Sequence, residues 1–505
     1  MRKYSWLIWI VIAGFAVRLG AWLYFYFDTS ALVVSRLPDD ALYYFAIAKN
    51  LASGIGISFD GVHPTNGMHP LWLFVISPIF LLGLSKWGAI YGVLLLQSII
   101  DAVIIWFIGK TVYDALANTS ESTRRRAAGA SALLYALSFL ATVRAINGLE
   151  TTIVSLLTVF WIRAFLKRNE FDTPLWIAFG LLTGLLLLAR TDTFILLVPL
   201  AVSFGASELK RHWREYFTAF CATILTILPW IWWNWATFGT PLQSSAEAVP
   251  ILAMRKYAAI YGSGVPTYWH LLLEAIRNVF KPFWYSTLGF SILTLAFTLG
   301  VRRKSIGSNH KAIILFAIGG LLLLVVHSLF RGFIRDWYVE ELTPIFLIVY
   351  GVSIGINAGQ AGLSKGVWRL AVVILVLQAI IFFRAPYRSQ LVVVERGVPL
   401  IRDLTARTTV ASLNSGFYGY FSSRPGSVVN LDGVVNADAV HALEASDLHG
   451  LLDRDSVRYL IEFQGDLGGY INLIDHHMLD DFVVDSIVTS GHPGVDPLYL
   501  YRRKS

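Results

Sequence analysis

Long apolar runs separated by short polar or basic connections dominate the first 385 residues of the chain. A helix that crosses a bilayer needs about 20 mostly apolar residues, and a run of that kind predicts such a helix. Eleven runs of this kind occur, at about 6–26, 88–109, 127–143, 150–166, 174–190, 192–209, 215–233, 282–301, 312–330, 343–358 and 367–384. The pattern predicts a polytopic α-helical membrane protein with about 11 spans.

One further apolar run, Leu71 to Leu84, is shorter and contains Pro78. If it were a span, the basic triplet Arg124–Arg126 would lie outside, whereas Lys and Arg in short loops stay on the cytoplasmic side. We therefore predict that this run is a helix in the outer membrane interface. With that choice the N-terminus is cytoplasmic and the chain after Phe383 is extracytoplasmic.

The last part of the chain, residues 388–505, is more polar and contains turn formers, helix-like stretches and several short β-like runs. These runs are Thr408–Leu413, Ser427–Leu431, Val457–Phe463 and Tyr499–Tyr501. We expect two domains: a transmembrane domain over residues 1–387, whose first outer loop is 27–87, and a small extracytoplasmic α/β domain over 388–505.

Composition agrees with a membrane protein and excludes other classes. Hydrophobic residues make up 56% of the chain, charged residues 15%, and the mean hydropathy is +0.60, which is outside the soluble globular range. The net charge of +8 comes from basic residues scattered among the loops, so we expect no nucleic-acid partner. Cys221 is the single cysteine, so no disulfide can form within the chain.

The first outer loop contains two adjacent carboxylates, Asp39 and Asp40. Pro38 and Asp39 favour a helix start and Gly54 favours its end, which predicts a short interfacial helix whose apolar side chains face the lipid. Adjacent carboxylates shift each other's ionisation, so one can act as a general base while the other positions a partner or a cation. The alternative is a helix cap with a solvated neighbour.

Other charged and aromatic residues fall at predicted helix ends on the same side. Charges next to lipid usually face a cavity or pair together, and arginine binds phosphate through paired hydrogen bonds. The candidates for donor-phosphate or substrate binding are His69, Arg144, Glu150, Asp192, Arg331, Arg335 and Tyr338. The alternatives are salt bridges of Glu150 with Arg144 and of Asp192 with Arg190, and simple membrane anchoring by Trp337 and Tyr338.

Two further sets of residues indicate no particular function: charged residues within predicted spans, and histidines that could bind a metal. Arg18 and Asp101 lie within predicted spans, where an ionised side chain costs about 2.5–3.5 kcal/mol, so the two could pair. His63 and His69, with Asp60, match no strong metal motif. No metal or cofactor is firmly implied, although a divalent cation stays possible.

Several motifs together resemble the C-type (GT-C) superfamily of membrane glycosyltransferases, which use polyprenyl-phosphate sugars. They are Asp39-Asp40, Gly54-Ile55-Gly56, Asn66 to Trp72, Gly148 to Thr151, Ala189 to Asp192, Phe238 to Pro241 and Trp337-Tyr338. The likeness covers roughly residues 1–385. Within the superfamily, the sequence is similar to the bacterial branch related to protein mannosyltransferases, aminoarabinose transferases and mycobacterial arabinofuranosyltransferases. It implies a multi-pass enzyme of the cell membrane.

The resemblance also implies roles for particular residues. It makes Asp39 the catalytic base of an inverting transfer to an acceptor hydroxyl, with Asp40 as the second choice. The partners it implies are a polyprenyl-phosphate-linked sugar and a glycan, lipid or protein acceptor. The Asp-Asp pair departs from the Asp-Glu of many protein mannosyltransferases, so the sugar and the acceptor stay open.

Two alternatives to a transferase remain at this stage. A secondary transporter would also have many spans, although such proteins usually show two related halves and no half-repeat is evident here. A non-catalytic scaffold would use residues 388–505 to bind a partner. Within that part, 414–419 and 430–433 form a glycine-rich fringe that has either a structural role or holds an acceptor glycan.

Overall fold

The computed structural model describes most of the chain, namely residues 4–203, 210–280, 308–331, 336–339, 342–357, 372–373, 375–376 and 388–504. The predicted span at 282–301, all but four residues of the one at 367–384, and the end of the one at 192–209 lie outside the described residues. Arg335 and the side chains of Arg144 and Arg331 also lie outside them.

The described residues before 388 are mainly helical, and the apolar runs among them lie in helices. The helices of this part are α1 (Ser5–Phe27), α2 (Thr29–Ser35), α3 (Asp39–Ala52), α4 (Pro70–Phe80), α5 (Lys86–Ala115), α6 (Glu121–Leu137), α7 (Phe139–Arg144), α8 (Thr151–Leu166), α9 (Thr173–Ala189), α10 (Phe194–Ser203), α11 (Trp213–Phe238), α12 (Ser244–Tyr261), α13 (Val265–Phe280), α14 (Ser308–Arg331) and α15 (Leu342–Ile356). Short 3₁₀ turns lie at Arg168–Glu170, Thr191–Thr193 and Asp336–Val339.

Three of these helices, α1, α5 and α11, are long and apolar enough to cross a membrane, and α4, α8, α9, α10, α14 and α15 contain shorter apolar stretches. Large apolar side chains on them are exposed, among them Trp9 at 73% and Trp232 at 68%, as lipid contact requires. Helix α4 has only 11 residues. At 1.5 Å per residue it extends about 16 Å, roughly half of the hydrocarbon thickness.

The centre of the helical part contains a buried ion pair between α1 and α5. Arg18 Nε lies 2.6 Å from Asp101 Oδ2, and the hydroxyl of Tyr135 donates to Asp101 Oδ1 at 2.6 Å. The guanidinium also donates to the carbonyl oxygens of Tyr135 and Ala136 at the end of α6. Both charges are thus paired and hydrogen-bonded, which is the condition for retaining them in an apolar interior.

Helix α3 begins at Asp39, as its sequence predicts, but it does not lie on the lipid surface. Every residue from Ala41 to Ala48 is buried, and Leu42 and Phe45 are 0% exposed. The prediction that its apolar side chains face the membrane was wrong. Hydropathy could not reveal that α4 packs on one side of α3 and the C-terminal segment (residues 388–504) on another.

The C-terminal segment begins with the helical turns Gln390–Val392 and Val393–Gly397. The further helices are α16 (Val398–Thr405), α17 (Gly416–Phe421), α18 (Ala437–Ala445), α19 (Leu448–Arg454) and α20 (Gln464–Leu473). The strands are β1 (Val410–Ser412), β2 (Val428–Asn430), β3 (Tyr459–Phe463), β4 (Phe482–Val488) and β5 (Leu498–Arg503). Four of these strands lie within or overlap the predicted β-like runs, whereas β4 lies outside them.

The five strands form one sheet in the order β2-β1-β3-β5-β4. Strands β2, β1 and β3 are parallel, and β5 and β4 continue the sheet in antiparallel pairs. The chain leaves β1 towards β2 on one side and returns to β3 on the other. In open parallel sheets, ligands bind at such a change of direction, beyond the carboxyl ends of the strands.

Candidate active site

The motif Asn66 to Trp72 is the scaffold that joins the helical part to the C-terminal segment. Asn66 accepts from the backbone N–H of Ser244 at 3.1 Å and donates to the carbonyl of Leu242 at 2.9 Å. Next to it, a Cβ on Gly67 would lie 1.6 Å from the carbonyl oxygen of Val434. Only glycine allows the backbone at position 67 to approach the backbone of Val434 so closely.

The turn before α8 is held in place by two side chains from other helices. Gln97 donates to the carbonyl of Leu149 at 2.6 Å and accepts from the backbone N–H of Gly148 at 2.9 Å. The indole of Trp72 donates to the carbonyl of Gly148 at 2.9 Å. These bonds fix the position of Glu150, which is 5% exposed.

Asp40 and Glu150 line one small cavity of about 100 Å³, which we call the Asp40 cavity. His69, Arg190 and Tyr338 also line it. The Nε2 atom of His69 lies 3.8 Å from Glu150 Oε1. Two carboxylates and two cationic or ionisable basic groups from distant parts of the chain therefore converge in one place.

Arg190, which lines the Asp40 cavity, belongs to an ion-pair network. Arg190 is buried, lies 3.1 Å from Asp192 and donates to the carbonyl of Trp337 at 2.8 Å. Asp192 also lies 2.8 Å from Nε2 of His327. The rings of His327 and Tyr338 stack with their centroids 5.1 Å apart, and the guanidinium of Arg190 lies over the same tyrosine.

Asp39 faces a second and much larger cavity of about 590 Å³, which we call the Asp39 cavity. Its carboxylate accepts from the backbone N–H of Gly416 at 2.8 Å and of Phe417 at 3.0 Å. These groups are the first N–H donors of α17, a favourable place for a negative charge. A Cβ on Gly416 would lie 2.3 Å from the carbonyl oxygen of Asp39, so glycine is required here too.

The environment of Asp39 shifts its ionisation towards neutral pH. Burial raises the pKa of this carboxyl to about 7, the N–H groups of Phe417 and Gly416 oppose that rise, and the charge of Asp40 adds to it. Burial likewise raises the pKa of Asp432 to about 7, with smaller contributions from Asp40 and Asp39. Asp39 is therefore divided between its protonated and ionised forms near pH 7.

One group of possible metal ligands lies elsewhere in the described residues. His449, Asp453 and Asp481 place one ligand atom each within 4.8 Å of one another. Arg503 contacts both carboxylates of this group, so part of their charge is already compensated. Acidic and histidine residues of the Asp40 cavity do not form such a cluster among the residues searched.

The structure brings together five of the predicted site residues, in or beside the Asp40 cavity. They are Asp40, His69, Glu150, Asp192 and Tyr338. Asp39 lies on the other side of the same helical turn, and Arg144, Arg331 and Arg335 fall outside the described side chains. Membrane anchoring, the alternative for Trp337 and Tyr338, does not fit Trp337, which is only 7% exposed, whereas Tyr338 is half-buried and lines the Asp40 cavity.

Sequence reasoning assigned no substrate-binding role to several residues of the site. The sequence predicts Arg190 only as an ion-pair partner of Asp192. Its position within the motif Ala189 to Asp192 is the signal that could have indicated a role in the site. Tyr44, whose hydroxyl accepts from the N–H of His69 at 3.1 Å, gave no signal of its own. Asp432 lies after β2, and only the fold shows that it approaches Asp40 and Asp39.

Comparison with known proteins identifies the fold. No family model matches the chain, and neither does any curated protein. The chain is similar to the crystal structure of ArnT from Cupriavidus metallidurans bound to undecaprenyl phosphate, with a TM-score of 0.57, 12% identity and 98% of each chain covered. The apo state of ArnT matches with a TM-score of 0.55, 13% identity, and 99% of this chain and 98% of ArnT covered.

An archaeal protein is similar as well. The oligosaccharyltransferase AglB from Archaeoglobus fulgidus, in complex with an inhibitory peptide and a dolichol-phosphate, matches with a TM-score of 0.56 and 12% identity over 93% of this chain and 71% of AglB. The resemblance to C-type membrane glycosyltransferases that the motifs indicated is thus confirmed in the fold.

Proposed function

We propose that this protein transfers a sugar from a polyprenyl-phosphate donor to an acceptor hydroxyl on the extracytoplasmic face of the cell membrane, with inversion at the anomeric carbon. The observation that carries the proposal is the first turn of α3, where Asp39 and Asp40 line two different cavities. A donor in one cavity and an acceptor in the other would then lie on opposite sides of this turn. A carboxylate of the turn could act as the general base for the transfer.

The Asp40 cavity is the proposed site of the donor phosphate. Arg190 and His69 supply positive or hydrogen-bonding groups for the charge that develops on a leaving phosphate, and Tyr338 lies beside them. Proteins with this fold include ArnT, whose structure contains undecaprenyl phosphate, and AglB, whose structure contains a dolichol-phosphate. Those two ligands support a lipid phosphate as the donor carrier here.

Asp39 is the proposed general base, as the sequence resemblance implies. In the reaction, its carboxylate takes the proton of the acceptor hydroxyl while that oxygen bonds to the anomeric carbon. The bond between this carbon and the phosphate oxygen breaks, and its electron pair leaves with the polyprenyl phosphate. Attack from the side opposite the phosphate inverts the configuration.

Two features of Asp39 suit that role. A general base works best when its pKa is close to the operating pH, and burial raises the pKa of Asp39 to about 7. The two N–H groups of α17 orient the carboxylate, and each carboxylate oxygen has a further lone pair for the acceptor hydroxyl. Asp40 remains the second choice for the base.

The first test is the Asp39→Asn variant in purified protein, with labelled polyprenyl-phosphate sugars as donors and a cell-envelope extract as the acceptor. We expect the wild type to release polyprenyl phosphate and form a labelled product. The variant should lose transfer by about 10²–10⁴-fold, the usual contribution of a positioned base, while donor binding is retained.

The control for this test is Asp28→Asn. Asp28 caps α2 from an exposed position, and Asn is an equally good cap, so its transfer rate should stay unchanged. Undiminished transfer by Asp39→Asn, with a loss in Asp40→Asn, would move the base to Asp40. Uptake of labelled sugar into proteoliposomes without any transfer would favour the secondary transporter, which gains no support from the fold.

A further inference from the structure

We infer that the Asp39 cavity is the acceptor site and that it selects an uncharged saccharide over a phosphorylated one. This inference rests on the proposed transfer reaction and adds the chemical class of the acceptor. It depends on four observations: the position of the cavity in the fold, the charges on its walls, the hydroxyl-binding groups it presents, and a buried carboxylate that holds those groups in place.

The cavity lies where the sheet topology favours a ligand. Asn414 follows β1 and Gln464 follows β3, two neighbouring parallel strands, and both residues line the cavity. Because the chain changes direction at β1, this is the crevice beyond the carboxyl ends of the strands. In this protein Asp39 of α3 also lines that crevice.

Among the described residues, the ionisable side chains on the walls of the cavity are all acidic or phenolic, and none is basic. Asp39, Asp466 and Asp496 line it, and none of its described lining residues is Lys or Arg. A phosphate entering the cavity would meet like charges and would lack the guanidinium or ammonium partner that phosphates require. The walls therefore disfavour an anionic acceptor.

The remaining walls offer what a sugar hydroxyl and a sugar ring require. The side-chain amide of Gln464 can donate and accept hydrogen bonds, the amide oxygen of Asn414 can accept them, and so can the carboxylates. Phe463 and Tyr499 add aromatic surface. With about 590 Å³, the cavity has the size usual for small-ligand sites.

A buried carboxylate beneath the rim holds the hydroxyl-binding groups in place. Glu462 is 1% exposed and accepts from the backbone N–H groups of Asn414 and Phe463, both at 2.9 Å. It also accepts from the side-chain amide of Asn414 at 3.2 Å. Such support fixes a binding group before the ligand arrives, which lowers the entropic cost of binding.

The test measures acceptor preference with three probes at a fixed donor concentration: a neutral tetrasaccharide, the same tetrasaccharide carrying a phosphate ester, and a Ser/Thr-containing peptide. We expect transfer to the neutral saccharide, with KM at least tenfold higher for the phosphorylated form. The Asp496→Asn variant should reduce that tenfold difference. The Gln464→Ala variant should raise KM for the neutral saccharide about tenfold while the donor Kd stays unchanged.

The matched control is Asp480→Asn, which removes an exposed carboxylate of the same segment outside the cavity and should leave both KM values unchanged. Donor consumption with the peptide or the phosphorylated saccharide as the preferred acceptor would overturn the inference and leave the proposed transfer intact. An unchanged KM in Gln464→Ala would also overturn it. If the wild type consumes no donor with any acceptor, the proposed function itself fails.

Discussion

Asp39 shows how a residue can be predicted from sequence while its surroundings cannot. The motif singled out the Asp-Asp pair and its helix start, and the structure begins α3 at Asp39. No local pattern indicates that residues 416 and 417, almost 380 positions away, donate to its carboxylate. The catalytic role of Asp39 remains a proposal, and its burial supplies a test of that role.

The pH dependence of transfer follows from the raised pKa of Asp39. Only the ionised carboxylate accepts a proton, so kcat/KM should rise about tenfold per pH unit below pH 7 and level off above it. A carboxyl with an ordinary pKa near 4 would give a flat profile over the same range. The measurement is initial rates between pH 5 and 9, with the pH stability of the protein checked in parallel.

A flat profile above pH 5 would contradict a base with a raised pKa. The Asp39→Glu variant provides the matched comparison because it retains a carboxyl group in a slightly different position. It should show a reduced rate with a pH-dependent limb still present, whereas the residual rate of Asp39→Asn should have lost that limb.

At the level of elements, α17 connects the C-terminal segment to the base. In Gly416→Ala the added Cβ would lie 2.3 Å from the carbonyl oxygen and 2.8 Å from Oδ2 of Asp39. The start of α17 must therefore move away from α3. We expect at least a tenfold loss of transfer, measured as initial rates, because the N–H groups of Gly416 and Phe417 would no longer orient the Asp39 carboxylate.

The control for Gly416→Ala is Gly468→Ala in α20. A Cβ at Gly468 meets no atom within 4 Å, and alanine favours a helix over glycine, so activity and melting temperature should not fall. Transfer at the wild-type rate in Gly416→Ala would show that the contact between α17 and Asp39 is dispensable.

The pair of Arg18 and Asp101 makes a separate prediction about the helical part. Removing one partner leaves a buried charge unpaired, so Arg18→Met should reduce the free energy of unfolding by about 3–5 kcal/mol. The double variant Arg18→Met/Asp101→Leu should recover most of that loss. Thermal unfolding in detergent measures both.

Arg125→Met serves as the surface control for this pair. Arg125 is about half exposed and pairs with Glu121 one turn away, and such pairs contribute about 0–1 kcal/mol. If Arg18→Met unfolds at the same temperature as Arg125→Met, the buried pair is not a stabilising element of the native protein.

Element prediction succeeded where hydropathy and turn signals are strong. Helices lie at the apolar runs of the described residues, and strands lie at four predicted runs. It failed for α3, whose apolar side chains pack against protein, because lipid and protein interiors favour the same residues. Strand β4 went unpredicted, and five of its seven residues are exposed.

At the scale of the whole molecule, the proposed active site depends on how two parts of one chain meet. The motifs covered residues 1–385, whereas every described residue that lines the Asp39 cavity, except Asp39 itself, belongs to the C-terminal segment, which matched no motif. Its topology follows from strand pairing between distant residues, which a single sequence does not reveal. The fold shared with ArnT and AglB confirms the resemblance and leaves the sugar and acceptor to experiment.

The most direct test of the central claim is a structure of the purified protein with polyprenyl phosphate bound. The account predicts phosphate density in the Asp40 cavity, in contact with Arg190 or His69, while the Asp39 cavity on the other side of the α3 turn stays free for an acceptor. Phosphate density in the Asp39 cavity, or at a site that contacts neither cavity, would contradict the separation of donor and acceptor across Asp39 and Asp40.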